Sequence, residues 1–142
     1  QSRLLAHSVL AILFFGIIAN GFFYPMLLRY QSSSRAGKTF QTLDEPHQAY
    51  YYETGDESLH ALHFYSQTIF QPLTNPAQEL HQEKAFIYTT ERGMQALLAT
   101  SLPITVKRTL PYFQVTHLNA TFLNPKTRSS ALEKRYILLY SP

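Results

Sequence analysis

Cysteine is absent from the 142 residues. That removes disulfides, thiolate catalysis and cysteine-based zinc sites together, without fixing the compartment. Glycine is scarce: there are five, and two of them, Gly16 and Gly21, fall in the first apolar stretch. None builds a G-x-G-x-x-G or P-loop pattern, so nothing in the sequence cradles a pyrophosphate. Acidic and basic residues make up only 15% of the chain, and Leu4 to Leu28 holds none. Lysine and arginine exceed the acids by three, spread over Lys107-Arg108, Lys126, Arg128 and Lys134-Arg135. A nucleic-acid footprint would be larger and more clustered, so no nucleic-acid partner is expected. A solvated basic face fits this charge, and so does one that meets anionic lipid headgroups or lipid phosphates. No repeat or low-complexity segment occurs.

What is present begins with the run "LLAHSVLAILFFGIIANGFFYPMLL". A hydrocarbon core about 30 Å thick needs roughly 20 apolar residues of helix, and Leu4–Leu28 is long enough to cross it with some tilt. A secretory signal would have a shorter apolar centre and a small-residue cleavage site, and a buried soluble helix would be apolar on one face only. A transmembrane helix, within residues 1–30, is therefore expected, with the lipid bilayer as its partner. Tyr24 and Tyr30 suit an interfacial aromatic belt. His7 lies near one end, whereas Asn20 lies deeper and should need a neighbouring helix or water for its amide. Arg3 on one flank and Arg29, Arg35 and Lys38 on the other give opposite orientations by the positive-inside rule. Gln1 in place of Met leads us to expect the last span of a longer membrane protein.

Residues 31–142 suffice for one domain with its own core. Ser34 can cap a helix carrying Ala36, Phe40 and Leu43, which Pro46 stops. "QAYYYE" reads as a strand. Asp56 can cap a helix with Leu59, Leu62 and Tyr65 in register. "TIFQPL" is an edge strand at best because of Pro72. In "NPAQEL", Asn75, Pro76 and Gln78 have the spacing of a capped helix start, with the helix ending near His81. Lys84–Thr90 is a strand, and Thr90 caps a helix with Met94, Leu97 and Leu98 on one face. Ile104–Arg108, Tyr112–Leu118 and Lys134–Ser141 read as three more strands. The stretch from Asn119 to Glu133 is a loop, with or without a short helix. Strands alternating with helices predict an α/β fold: one N-terminal transmembrane helix, then a small three-layer domain with a mostly parallel sheet and an antiparallel edge.

Candidate chemistry is sparse. "TGDES" follows the first strand, at the carboxyl end where doubly wound folds bind ligands. It reads as a helix start or as a ligand-contact loop, although Asp56 and Glu57 would repel phosphate. Gly55, Asp56 and Ser58, with Tyr52 and Tyr65 nearby in sequence, are the ligand-contact candidates. Tyrosines with polar tips, here Tyr50, Tyr51, Tyr52 and Tyr65, suit a half-buried sheet or a sugar or lipid surface. His60 and His63 with Glu57 could form a metal face, but a further ligand and second-shell partners are needed. His81 and His117 are not placed near them, so ordinary histidines and no metal are expected. Ser58 with a histidine lacks a nucleophile elbow. "NAT" at Asn119 matches a glycosylation sequon that is common by chance.

Several stretches taken in order carry a resemblance. A last apolar span ends in "YPMLLRYQSSSRAG". "AYYYE" leads into "SLHALHFYSQ", "KAFIYTTERGMQALL" follows, and the tail reads "FQVTHLNATFLNPKTR" and "EKRYILLYS". Over essentially its whole length the chain resembles the C-terminal part of bacterial multi-spanning glycosyltransferases of the dolichyl-phosphate-mannose mannosyltransferase and aminoarabinose-transferase-like group. These are often called family 39 and have the GT-C membrane fold. The resemblance implies transfer of a sugar from a polyprenyl-phosphate carrier to an acceptor. It also implies an extracytoplasmic domain on the bacterial inner membrane and sister transmembrane helices as partners, with lipid-linked sugar or acceptor as a further one. The family's catalytic acidic residue lies in the first external loops, which have no counterpart here. No catalytic residue is carried over, and no cofactor is expected for this stretch. A single-span anchored α/β module that binds a small ligand or a protein is the alternative, and a stand-alone hydrolase lacks a nucleophile.

Overall fold

The computed structural model describes residues 2–45, 47–55, 57–80 and 83–142. Pro46, Asp56 and His81, expected above as a helix stop, a cap and a helix end, lie outside them. The chain divides into two compact units after Tyr30.

In the first unit, α1 (Ser2–Ile18), a π-helical turn (Ala19–Phe23) and α2 (Tyr24–Leu28) run on from one another. From Arg3 to Leu28 they make 26 residues of helix, long and apolar enough to cross a membrane. Pro25 has no N–H, and its ring excludes the carbonyl four residues back. The chain widens just before it: the Tyr24 N–H reaches the Ala19 carbonyl, five residues back, so the proline is accommodated without ending the helix. The polar side chains fold back onto the same helix. Asn20 Nδ2 donates to the Gly16 carbonyl at 2.8 Å, Ser8 Oγ donates to the Leu4 carbonyl at 3.0 Å, and His7 Nδ1 lies 2.5 Å from the Arg3 carbonyl. Asn20, whose amide was expected to need a neighbouring helix or water, thus finds an acceptor for one N–H one turn away.

The second unit is an α/β layer structure. Its elements are α3 (Ser32–Gln41), β1 (Gln48–Tyr52), α4 (His60–Ser66), β2 (Gln71–Pro72), α5 (Pro76–Glu79), β3 (Ala85–Thr90), α6 (Glu91–Leu98), β4 (Ile104–Tyr112), α7 (Ala120–Leu123) and β5 (Glu133–Tyr140). Short 3₁₀ turns occupy Val115–His117 and Arg128–Ala131. The sheet order is β2-β1-β3-β5-β4. β1 is parallel to β2 and to β3, with Gln48 opposite Ala85 and Tyr52 opposite Thr89. β5 is antiparallel to both neighbours, with Tyr88 opposite Ile137 and Tyr112 opposite Glu133. The antiparallel part of the sheet is thus at one side, but β5 itself is one strand in from the edge.

Alternation along the strands sorts side chains onto two faces. Ala85 and Ile87 of β3, with Tyr136 and Leu138 of β5, pack against Leu73, Leu80 and Leu97. Phe86, Tyr88 and Ile137 pack on the opposite face against Ala36 of α3, Leu62 of α4, and Phe70. There the Phe40, Phe70 and Phe86 rings meet edge to face at 5.3–5.7 Å. The sheet is therefore the middle of three layers.

Local differences from the expectations have local causes. α3 starts at Ser32 rather than after Ser34, whose hydroxyl donates to the Gln31 carbonyl. α4 starts at His60, so Leu59 precedes it. The start of α5 is closed by Glu79, not by Gln78: its Oε1 accepts from the Thr74 and Asn75 N–H groups at 3.0 and 2.7 Å. Thr90 does cap α6, accepting from the Gly93 N–H. The separate strand expected over Tyr112–Leu118 does not form. Ile104–Tyr112 is one strand, with an irregularity between Val106 and Arg108, and Pro111 is tolerated within it because β4 is an edge.

α3 and α4 cross at Gly37, where a Cβ would stand 2.7 Å from the Leu62 carbonyl oxygen and 2.9 Å from the Ser66 nitrogen. Both are backbone atoms and cannot rotate away. Gly37→Ala should lower stability by about 1–3 kcal/mol, the usual cost of overpacking. In urea titrations the midpoint should fall with the slope unchanged.

Candidate functional site

Parallel strands β1 and β3 end at the same side of the sheet, where β5 begins. The loop after β1 turns sharply: Glu53 has φ +50° and Gly55 φ +62°. Glycine adopts this backbone freely, whereas Glu53 carries local strain. The turn sends Glu57 back over the α3–α4 face of the sheet. Its Oε1 accepts from the Tyr88 hydroxyl at 2.7 Å and its Oε2 from Arg135 Nε at 2.7 Å. The two charged side chains are 4% and 7% exposed, so this is a buried ion pair.

The cluster extends on both sides. Tyr88 O lies 2.7 Å from Ser32 Oγ. Because the phenol proton goes to Glu57, the Ser32 hydroxyl donates to Tyr88, giving a chain Ser32→Tyr88→Glu57 that each donor polarises. Arg135 Nη1 donates to Glu133 Oε2 at 2.9 Å and to the Lys134 carbonyl at 3.2 Å, and the guanidinium lies 3.9 Å from the Tyr112 ring centroid. Burial pushes the Glu57 carboxyl above the ordinary value near 4.5, only partly offset by the bonds from Tyr88 and Arg135. Burial, with Glu57 beside it, pushes the Tyr88 phenol well above its usual range. Tyr112 moves up for the same two reasons. Burial pulls Arg135 down, but its bonds to Glu57 and Glu133 outweigh this and leave it higher.

Among the described residues, a cleft of about 380 Å³ borders Glu133 and Arg135, and two others have Glu57 in their walls. One, of about 340 Å³, is walled by Gly55, Glu57, Thr90, Tyr112, Glu133 and Arg135. The other, of about 230 Å³, is walled by Ser33, Glu57, Ser58, Tyr112 and Gln114. Their chemistry is one aromatic wall with several neutral and charged donors and acceptors, which suits a polyhydroxylated or otherwise polar ligand. A buried carboxyl with a displaced pKa at the carboxyl end of a sheet is where binding and catalytic groups concentrate.

The expected contact residues are divided by the fold. Gly55 and Ser58 border the clefts, one each, and Asp56 lies outside the described residues. Tyr52 packs on the other face of the sheet, and its carbonyl accepts from Thr89 Oγ1 at 2.6 Å. Tyr65 sits on α4 beneath Lys38 and borders neither cleft. His63 stacks on Phe70 with its Nε2 buried and unpartnered, while His60 is exposed. Glu57 therefore serves Arg135 rather than a histidine face, and the described residues contain no group of three or more potential metal ligands. Arg135, Tyr88, Tyr112 and Glu133 were missed. The usable signal was a lone arginine entering the apolar strand "YILLY". Compared with protein-family models, with curated proteins and with solved structures, the chain matches none.

Removing one partner of a buried ion pair leaves the other uncompensated. Glu57→Leu and Arg135→Met should each cost about 3–5 kcal/mol in chemical denaturation, and the double variant much less than their sum. The pH dependence has a definite sign. A carboxyl raised in the folded state contributes most below its unfolded value and loses that contribution as pH rises through the folded value. The stability advantage of the native chain over Glu57→Gln should therefore be larger at acid than at neutral pH. Denaturation curves across that window check it.

Proposed function

We propose that residues 31–142 form the non-catalytic, extracytoplasmic accessory domain of a bacterial inner-membrane glycosyltransferase that moves a sugar from a polyprenyl-phosphate carrier to an acceptor. One observation carries the reading: a membrane-length apolar helix, Arg3–Leu28, runs directly into a separate α/β unit beginning at Gln31. That is the arrangement implied by the resemblance to the C-terminal part of family 39 enzymes. In this reading the helix is the last of several spans, and its sister helices pack beside it. The domain steadies the bundle or shapes the path of an acceptor, and the clefts around Glu57 and Arg135 offer hydroxyl-bearing groups hydrogen bonds and the Tyr112 ring.

The cleft itself favours a second reading, a single-span anchored module that binds a polar ligand. A built pocket on a buried Glu57–Arg135 pair has no need of other spans. The reading frame upstream of Gln1 separates the two. Several further spans, with acidic residues after the first, support the transferase, whereas a start codon immediately upstream overturns it and leaves a lone anchor. Transfer assays add a functional arm: residues 1–142 alone should transfer no sugar, and turnover by this chain would defeat both readings.

A further inference from the structure

Beyond the clefts, the outer surface of the α3–α4 layer has a character of its own. Phe64 on α4 is 76% exposed and Ile69, in the link from α4 to β2, 72%, while no other large apolar side chain described in residues 31–142 exceeds 45%. A lone exposed apolar residue means little. Here, however, the Phe64 ring meets the Tyr65 ring edge to face at 5.2 Å, and Lys38 Nζ lies 4.7 Å from the Tyr65 centroid. Arg35, one turn before Lys38 on α3, is also exposed. Neither α3 nor α4 contains an aspartate or glutamate. The α6 side of the sheet differs: Glu79 belongs to α5 and Glu91 to α6. Projecting apolar side chains beside cations, with no acid on either helix, complement a surface that is apolar beneath and anionic on top. A protein groove would complement the apolar part but supplies no reason for the absence of acids. In sequence, α3 begins four positions after Leu28, so a span in a bilayer keeps this layer within reach of it.

We propose that the α3–α4 face docks on an anionic lipid bilayer, with Phe64 and Ile69 entering the interface and Arg35 and Lys38 meeting lipid phosphates. The inference rests on Arg3–Leu28 spanning a bilayer. It is independent of whether the chain is a transferase's accessory domain or a lone anchored module. Aromatic and aliphatic tips with a basic flank are the features that hold an element in the plane of a membrane interface. A second signal of this kind adds to the tether by raising the effective concentration of the surface.

The chain contains no tryptophan, so Phe64→Trp places a single probe on the face at a position too exposed to disturb the core. The full chain is reconstituted into vesicles of phosphatidylcholine, with and without phosphatidylglycerol, some with brominated acyl chains. The expected result is blue-shifted, bromolipid-quenched emission in the anionic vesicles, with Leu98→Trp on α6 unquenched. Adding Lys38→Gln should lower the ratio of docked to undocked domain about fivefold, the effect of one basic residue near an anionic surface. Water-like, unquenched emission from Phe64→Trp overturns the proposal. Blue-shifted but unquenched emission overturns it too: dependence on the protein-to-lipid ratio would assign the face to a second copy, and independence would assign it to another segment of protein. Equal quenching with and without phosphatidylglycerol would remove the anionic partner and overturn the charge argument.

Discussion

The ion pair between Glu57 and Arg135 is the constraint on which the carboxyl end of the sheet depends. Each charge loses several kcal/mol of hydration on burial, and attraction offsets that only where the remaining lone pairs and protons are satisfied. The fold supplies those partners from five places: the loop after β1, Tyr88 on β3, Ser32 at the start of α3, Tyr112 on β4, and β5 itself. The loop must then take the left-handed backbone at Glu53 and Gly55 that brings Glu57 inward. An apolar set of similar volume would commonly hold such a site as well or better. That a charged network stands here instead fits a surface with work to do beyond packing.

The same arrangement explains why the clefts are where they are. A parallel pair such as β1 and β3 places two loop ends side by side, and the interior antiparallel β5 brings its first residues to meet them. Arg135 stands opposite Thr90 on one side and Leu110 on the other. It is thus fixed by two ladders, and its guanidinium is further held by Glu57, Glu133 and the Tyr112 ring. A rigid arginine is a better recognition element than a flexible one, because little freedom remains to be lost when a ligand arrives.

Period and punctuation made most of the architecture legible. The uncharged run before Arg29, the apolar strand "AFIYTT", the Thr90 cap and the edge-breaking Pro72 each announce a local event. The layered α/β class follows from their order. The site was less legible because its parts are far apart in sequence. Glu57 and Arg135 are separated by 78 positions, and no spacing rule links a carboxylate in a turn to an arginine in a strand. The tyrosines are divided in the same way. Tyr50, Tyr51 and Tyr52 are adjacent in the chain but alternate between faces, while Tyr88, which touches Glu57, stands apart from them on β3. The expected strand over Tyr112–Leu118 keeps only its first residue, which ends β4: Tyr112 pairs with Glu133, where β5 begins, and the chain then turns through Val115–His117.

The central place of β5 governs how this domain can come into being. β5 follows the other four strands in the chain, yet it fills the gap between β3 and β4. Until residues 133–140 leave the ribosome, β3 has an open edge and β4 has no neighbour. The buried carboxylate of Glu57 likewise lacks its cation. Vectorial synthesis therefore cannot complete the domain piece by piece. β1, β2 and β3 can pair as they emerge, but β4 and the open edge of β3 must wait for residues 133–140 before the sheet is whole.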